Sequence, residues 1–159
     1  DALPISKLPI RESTMSVRKR DLRVLRVVLE KEDEELVVLV VDVRTPRTRD
    51  DQAVFDELWS LVKVEEGPLL VTGDMNTPRG SYHLRRAFGE LTDCFAEAGQ
   101  HRYLATWPSA IPLWQIDHAF CGNGLEPTRA RIVKSFASDH FPLVFHIESK
   151  PTDSRFAQK

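Results

Sequence analysis

Two adjacent segments rich in β-branched residues constrain the fold of this chain most strongly. They are "LRVLRVVLEK" (Leu22 to Lys31) and "EELVVLVVDV" (Glu34 to Val43). Runs of this composition favour β-strands, and the short acidic connection between them predicts a β-hairpin. The second run is apolar almost without a break, which predicts a strand buried on both faces of its sheet.

Helical and strand patterns alternate along the rest of the chain. The stretch that follows Thr48 predicts a helix with Thr48 as its N-cap. "LLVTG" predicts the next strand, residues 81–98 predict one or two short helices, and three more strands are predicted from Trp114, Ala130 and His140. Hairpins combined with helices between strands favour a layered α+β domain over a doubly wound one.

The composition is that of an ordinary globular domain. The chain has 159 residues, of which 42% are hydrophobic and 29% charged, so it is long enough for one real core. We assign residues 1–148 to one domain and residues 149–159 to a polar tail. The net charge of −2 gives no general attraction to nucleic acid or anionic membranes, and no apolar run has the length of a transmembrane segment.

The chain has two cysteines, Cys94 and Cys121, and their spacing is not that of a metal site. Two buried free thiols are the favoured interpretation. One disulfide in an exported protein is the alternative, and the sequence does not decide between the two.

Polar residues at the ends of apolar strands are the main functional signal. In "LLVTGDMNTPRGS", Asp74 and Asn76 lie two residues apart, so in an extended backbone their side chains point to the same side. Asp117 interrupts the apolar strand in "QIDHAF", and Asp139 and His140 precede another strand in "SDHFPLVF". A turn or a surface ion pair would explain any one of these residues.

Taken together, these residues predict a common site. Strands of a layered domain deliver their ends to one rim, where clustered carboxylates repel one another unless a cation offsets their charge. A hard cation such as Mg²⁺ or Mn²⁺ prefers carboxylate oxygen. One carboxylate can activate a water, while the imidazole and the amide bind a phosphate. The set therefore suits metal-assisted hydrolysis of a phosphoester, and the chain has no Walker loop, serine nucleophile elbow or zinc-type ligand set.

The motifs "GDMN", "IDHAF" and "SDHFPL", in this order, resemble the C-terminal motifs of the endonuclease/exonuclease/phosphatase superfamily, which has the DNase I-like fold. "TWP" (Thr106 to Pro108) resembles a bacterial, often membrane-associated branch of that superfamily. The resemblance covers roughly residues 35–147. It implies a four-layer α/β/β/α sandwich and leaves the compartment open, with an extracytoplasmic or membrane-associated parent protein as one interpretation.

The resemblance also implies a role for each motif residue. Asp74 matches the acid that activates the attacking water, and Asn76 matches the amide that holds the phosphate. Asp117 matches an acid that supports the metal or phosphate side of the site. Asp139 matches an acid that binds metal or orients the neighbouring histidine, and His140 matches the histidine that contacts the scissile phosphate.

Two departures from the family pattern matter. The family carries an asparagine and a metal-binding glutamate on early strands, and this sequence begins after both positions, which predicts an N-terminally truncated sandwich. Such a domain would expose a sheet face through which the chain could form a homo-oligomer. Where many members have a histidine after the strand "VVLVVDV", this chain has Arg44. Arginine can bind a substrate phosphate but cannot act as a general acid near neutral pH.

The leading hypothesis is therefore a divalent-metal-dependent phosphoesterase. The alternative is a non-catalytic or incomplete member that binds phosphate or serves in assembly. The substrate stays open between nucleic acid, a lipid headgroup and an inositol phosphate, because the shared residues handle only the phosphate.

Overall fold

The computed structural model describes residues 4–18, 22–31, 34–44, 51–99, 104–122 and 124–149. It confirms the predicted hairpin, in which β2 (Leu22–Lys31) pairs antiparallel with β3 (Glu34–Val43). A further strand, β1 (Ile10–Val17), pairs antiparallel with β2. The sequence does not predict β1, because all but one of its residues are exposed and no apolar period marks it.

The helix α1 (Asp51–Val62) follows β3, as the sequence predicts. The next strand, β4 (Leu69–Asp74), lies parallel to β3. Thr48, the predicted N-cap of α1, lies outside the described residues. The remaining elements are α2 (Tyr82–Phe88), β5 (Thr92–Asp93), α3 (Cys94–Glu97), β6 (Asp117–Gly122), β7 (Leu125–Ile132) and β8 (Leu143–Ser149).

The strands form two sheets. The larger sheet has the order β1-β2-β3-β4-β6-β5, and β7 and β8 form a smaller antiparallel sheet. One face of the larger sheet packs against α1 and α2 in the main core, which contains Phe55, Leu58 and Phe88. The opposite face meets the smaller sheet in a second core around Ala119 and Leu125. This helix, sheet, sheet layering confirms the α+β sandwich, with few helices.

The prediction that β3 is buried on both faces is wrong. Val37, Leu39, Val41 and Val43 are buried against the helices, whereas Val40 on the opposite face is 38% exposed. The reason is that the smaller sheet has only two strands and covers only part of this face. The second core includes Leu36 of β3 and Leu70 of β4 but does not extend to Val40. On the same face Met15 and Val17 of β1 are exposed, so the expected apolar sheet surface is present.

Several strand boundaries also differ from the prediction, including the start of β8 at Leu143 rather than at His140. β6 begins at Asp117 rather than at Trp114, because Trp114 instead forms an isolated bridge with Trp107. β7 begins at Leu125, before the predicted Ala130, in a stretch whose exposed charged residues weaken the strand signal. β8 extends to Ser149, so the first residue of the predicted tail belongs to a strand, and residues 150–159 lie outside the described part. Within the described residues, none of the helices combines the length and the apolar character that crossing a membrane requires.

Candidate functional site

Three aspartates lie opposite one another at the ends of three neighbouring strands. Asp42 of β3 pairs with Asp74 of β4, and Asp74 pairs with Asp117 of β6. Residues in direct register share a face of the sheet, so all three carboxylates lie on the face away from α1 and α2. We call these residues the aspartate row. Like charges directly opposite one another destabilise a sheet, and Arg23 of β2 offsets part of this repulsion at one end, with Nη1 3.6 Å from Oδ2 of Asp42.

His140 joins the aspartate row from the loop before β8. Its Nδ1 donates a hydrogen bond to Asp117, 2.9 Å from Oδ2, and its Nε2 lies 3.8 Å from Oδ2 of Asp74. The backbone of this loop is fixed on both sides of the imidazole, because Ser109 N donates to Asp139 O at 2.7 Å and Phe141 N donates to Thr106 O at 2.8 Å. One ligand atom each from Asp74, Asp117 and His140 lies within 4.8 Å of the others. We call these three residues the catalytic cluster, after the role that is proposed for them below.

A glycine sets the position of Asp74. Gly73 has a φ of +138°, and a Cβ built on it would lie 2.0 Å from the carbonyl oxygen of Val41 in β3. Only glycine fits this approach, because any side chain would push β4 away from β3. This close approach of the two strands explains why a glycine stands immediately before Asp74 in "TGDMN".

Asn76 fixes the turn that follows. It has a φ of +46°, a conformation that asparagine tolerates better than most residues. Its backbone N–H donates to Asp74 Oδ1 at 2.8 Å, and its side-chain Nδ2 donates to Asp74 Oδ2 at 3.1 Å and to Val43 O at 2.6 Å. Asn76 therefore orients the carboxylate of Asp74 and ties β4 to the end of β3.

The environment changes the pKa of two members of the catalytic cluster. Burial, together with the negative charges of Asp117 and Asp42, raises the pKa of Asp74 to about 6, although the hydrogen bond from Asn76 acts in the opposite direction. Burial alone would lower the pKa of His140. The hydrogen bond and charge of Asp117, with the charges of other nearby aspartates, outweigh burial and raise its pKa above the ordinary value. The cluster thus combines a carboxylate of increased basicity with an imidazole that holds its proton more strongly than a free histidine does.

Two predicted site residues lie beside the catalytic cluster. The exposed carboxylate of Asp139 accepts a hydrogen bond from Trp107 Nε1 at 3.3 Å, and it is outside the metal-ligating group found among the described residues. Its predicted role as a metal ligand stays a prediction. Arg44 is exposed and directly follows Val43, the residue whose carbonyl accepts the hydrogen bond from Asn76.

Asp42 is one of the polar residues that the sequence places at a strand end, but the sequence analysis gave it no role in the site. The available signal was its place at the end of a strand predicted to be buried, but its alignment with Asp74 depends on the parallel pairing of β3 and β4. His118, beside Asp117, faces the helices as strand alternation requires. It is buried, its Nε2 lies 2.8 Å from Thr77 O, and burial lowers its pKa.

Residues 5–140 match the profile of the Endonuclease/Exonuclease/phosphatase family. The chain belongs to this family. The match confirms the resemblance carried by "GDMN", "IDHAF" and "SDHFPL". No curated protein sequence matches the chain.

Several solved structures share the fold of this chain at low sequence identity. D. rerio TDP2 complexed with a single-strand DNA product superimposes with a TM-score of 0.71 at 11% identity, over 89% of this chain and 69% of that protein. The Bacteroides thetaiotaomicron mannosyl-6-phosphatase Bt3783 gives 0.64 at 15% identity, over 80% of this chain and 56% of that protein. A functionally unknown conserved protein from Enterococcus faecalis gives 0.68 at 16% identity, over 80% and 56%. The chain thus has the family's DNase I-like fold, and it spans little more than half of two of these three relatives.

Proposed function

We propose that this chain carries the catalytic cluster of a divalent-metal-dependent phosphoesterase, which cleaves a phosphodiester or phosphomonoester with an activated water. The observation that carries the proposal is the convergence of Asp74, Asp117 and His140 at the ends of β4, β6 and the loop before β8. Membership of a family that includes nucleases and phosphatases supports the reaction class.

The donor atoms of the catalytic cluster fit a hard divalent cation. Asp74 and Asp117 offer the carboxylate oxygens that Mg²⁺ and Mn²⁺ prefer. The burial and the repulsion that raise the pKa of Asp74 are the effects that a bound cation offsets. When bound, the cation would supply positive charge that polarises the phosphate. We assign Asp74 and Asp117 as the principal holders of this ion, and Asp139 as a further ligand.

Asp74 is assigned as the group that receives a proton from the attacking water. Its Oδ2 lies 3.8 Å from Nε2 of His140, on the side of the ring that is assigned to the phosphate. The hydrogen bonds from Asn76 hold the carboxylate in one orientation, so its position does not depend on the substrate.

His140 is assigned to the phosphate itself. Asp117 accepts the hydrogen bond from Nδ1, so Nε2 on the other side of the ring faces Asp74. An imidazolium there can donate a hydrogen bond to a phosphate oxygen as negative charge develops. The guanidinium of Arg44 is assigned as a further phosphate contact and serves in binding only. The phosphate role predicted for Asn76 stays a prediction, because its Nδ2 already donates to Asp74 and to Val43.

The proposal specifies a phosphate ester and leaves open the group attached to it. The titles of the two related structures name single-strand DNA and a mannosyl-6-phosphatase. Hydrolysis of either kind of ester makes the same demands on the residues that bind the phosphate. Hydrolysis of a lipid headgroup or an inositol phosphate would do so too.

Hydrolysis of bis-p-nitrophenyl phosphate tests the proposal. We expect turnover with Mg²⁺ or Mn²⁺ and none in EDTA. His140→Ala and Asp74→Asn should each lower the metal-dependent rate by about 10²- to 10⁴-fold. His146→Ala, an exposed substitution on β8, is the matched control and should keep the wild-type rate.

A folded protein without metal-dependent turnover would reject catalysis by this chain. The second candidate function, a phosphate-binding or assembly module, is favoured by the exposed apolar side chains of Met15, Val17 and Val40 on one sheet face. Sedimentation equilibrium distinguishes it: a homo-oligomer that Met15→Lys dissociates supports assembly, and a monomer opposes it.

A further inference from the structure

Cys94 and Cys121 lie in contact although 27 positions separate them in sequence. Cys94 is the first residue of α3, directly after β5, and Cys121 lies in β6 opposite Thr92 of β5. Their sulfur atoms are 2.8 Å apart, and both residues are fully buried in the second core. The chain has no other cysteine, so each of these thiols has only the other as an intramolecular partner.

We propose that Cys94 and Cys121 are a reversible redox modification site, at which a low-molecular-weight disulfide such as oxidised glutathione converts the two thiols into a disulfide bond that joins α3 to β6. The present separation exceeds the length of a disulfide bond (~2.05 Å) by roughly 0.8 Å. Closure therefore requires only a small movement of two side chains that already share one core.

The reaction balances through two exchange steps. The thiolate of one cysteine attacks a sulfur of oxidised glutathione, which forms a mixed disulfide and releases one glutathione thiolate. The thiolate of the other cysteine then attacks the protein sulfur, forms the Cys94–Cys121 bond and releases the second glutathione. The two protein thiols lose two protons and two electrons, and the oxidant is reduced to two glutathione molecules.

Either sulfur can make the first attack, because the two thiols are in contact in the same core and either can donate the hydrogen bond between them. Because both sulfurs are buried, the oxidant reaches them when α3 opens, and a four-residue helix is a small unit to displace.

The test uses the whole chain, incubated with oxidised glutathione and then treated with an alkylating reagent in urea. We expect the number of alkylated thiols to fall from two to none and proteolysis to yield a cross-linked peptide pair containing both cysteines. The melting temperature should rise by roughly 5–10 °C, because the bond closes a loop that spans 27 positions. Dithiothreitol should reverse both changes.

Cys94→Ala and Cys121→Ala are the controls. Neither variant should show an oxidation-dependent rise in melting temperature. If a variant does not fold, the thiol count and peptide map of the wild-type chain decide alone. Two alkylatable thiols that persist after prolonged oxidation would overturn the proposal, and so would stable glutathione adducts or disulfide-linked dimers in place of the internal bond.

Discussion

Substitution of Asp74 by asparagine should stabilise the protein at alkaline pH when no divalent metal is present. Burial and neighbouring negative charge raise the pKa of this carboxyl from 3.8 to about 6 in the folded chain. At pH values between these two, the unfolded chain is ionised at this position and the folded chain holds a proton. The free energy of unfolding therefore falls as the pH rises from about 4 to about 6, and the full loss persists above that range.

The magnitude follows from the two pKa values. Their difference corresponds to at most about 3 kcal/mol, at ~1.36 kcal/mol per pH unit. The side chain of Asp74 is 25% exposed, which screens part of the charge. Asparagine also keeps only one oxygen to accept the two hydrogen bonds that Asn76 donates. We therefore expect Asp74→Asn to gain about 1–2 kcal/mol at pH 8 and close to nothing at pH 4.

Urea titrations at both pH values in EDTA measure this gain. Asp56→Asn, on the exposed side of α1, is the matched control and should stay within about 0.5 kcal/mol of the wild type. Mn²⁺ at about 100 times its Kd should stabilise the wild type by about 2.7 kcal/mol and reverse the order of the two proteins. An Asp74→Asn variant that is no more stable than the wild type at pH 8 in EDTA would refute the reasoning.

Three further substitutions test other parts of the structure. Gly73→Ala should lower the free energy of unfolding in urea by more than about 3 kcal/mol, because its Cβ would lie 2.0 Å from the backbone oxygen of Val41. Gly67→Ala, also at positive φ but in open space, is its control and should lose about 1–2 kcal/mol. His118→Gln should weaken the loss of stability on acidification below about pH 6.5, because burial lowers the pKa of His118 and only the unfolded chain binds that proton. Trp107→Phe removes the indole N–H that donates to Asp139, the neighbour of His140 in sequence, and should lower kcat/KM for bis-p-nitrophenyl phosphate about 2- to 10-fold.

Each of these expectations has a contradicting result. Equal losses for the two glycine variants would show that the contact with β3 is unimportant. An unchanged acid transition in His118→Gln would place the titrating group elsewhere. A wild-type rate in Trp107→Phe would mean that the hydrogen bond to Asp139 does not position the site.

The sequence predicts the members of the catalytic cluster better than their arrangement. Asp74 and Asp117 are visible because each places a charge at the end of an apolar strand, and His140 because it precedes one. Their proximity depends on which strands are neighbours and in what register, and both are set by pairings between distant segments. For the same reason the sequence could not align Asp42 with Asp74 or bring Cys94 to Cys121.

The sequence predicted strands correctly where their burial requires a recognisable pattern of apolar residues. The hairpin of β2 and β3 follows from its apolar composition, whereas β1 is almost wholly exposed and has no such pattern. The two-faced burial expected for β3 failed because composition does not reveal how far a facing sheet extends. Val40 has the apolar side chain of an interior residue and lies at a partly open surface.

The aspartate row also links the site to the accuracy of folding. Each of three strands supplies one carboxylate, and a strand that pairs one residue out of register turns its carboxylate toward the helices. A collapsed chain with misaligned strands can therefore have native-like compactness and secondary structure without a working site. The rate of metal-dependent hydrolysis, followed during refolding, would measure the fraction of molecules whose strands are correctly aligned. Neither circular dichroism nor the hydrodynamic radius measures that fraction.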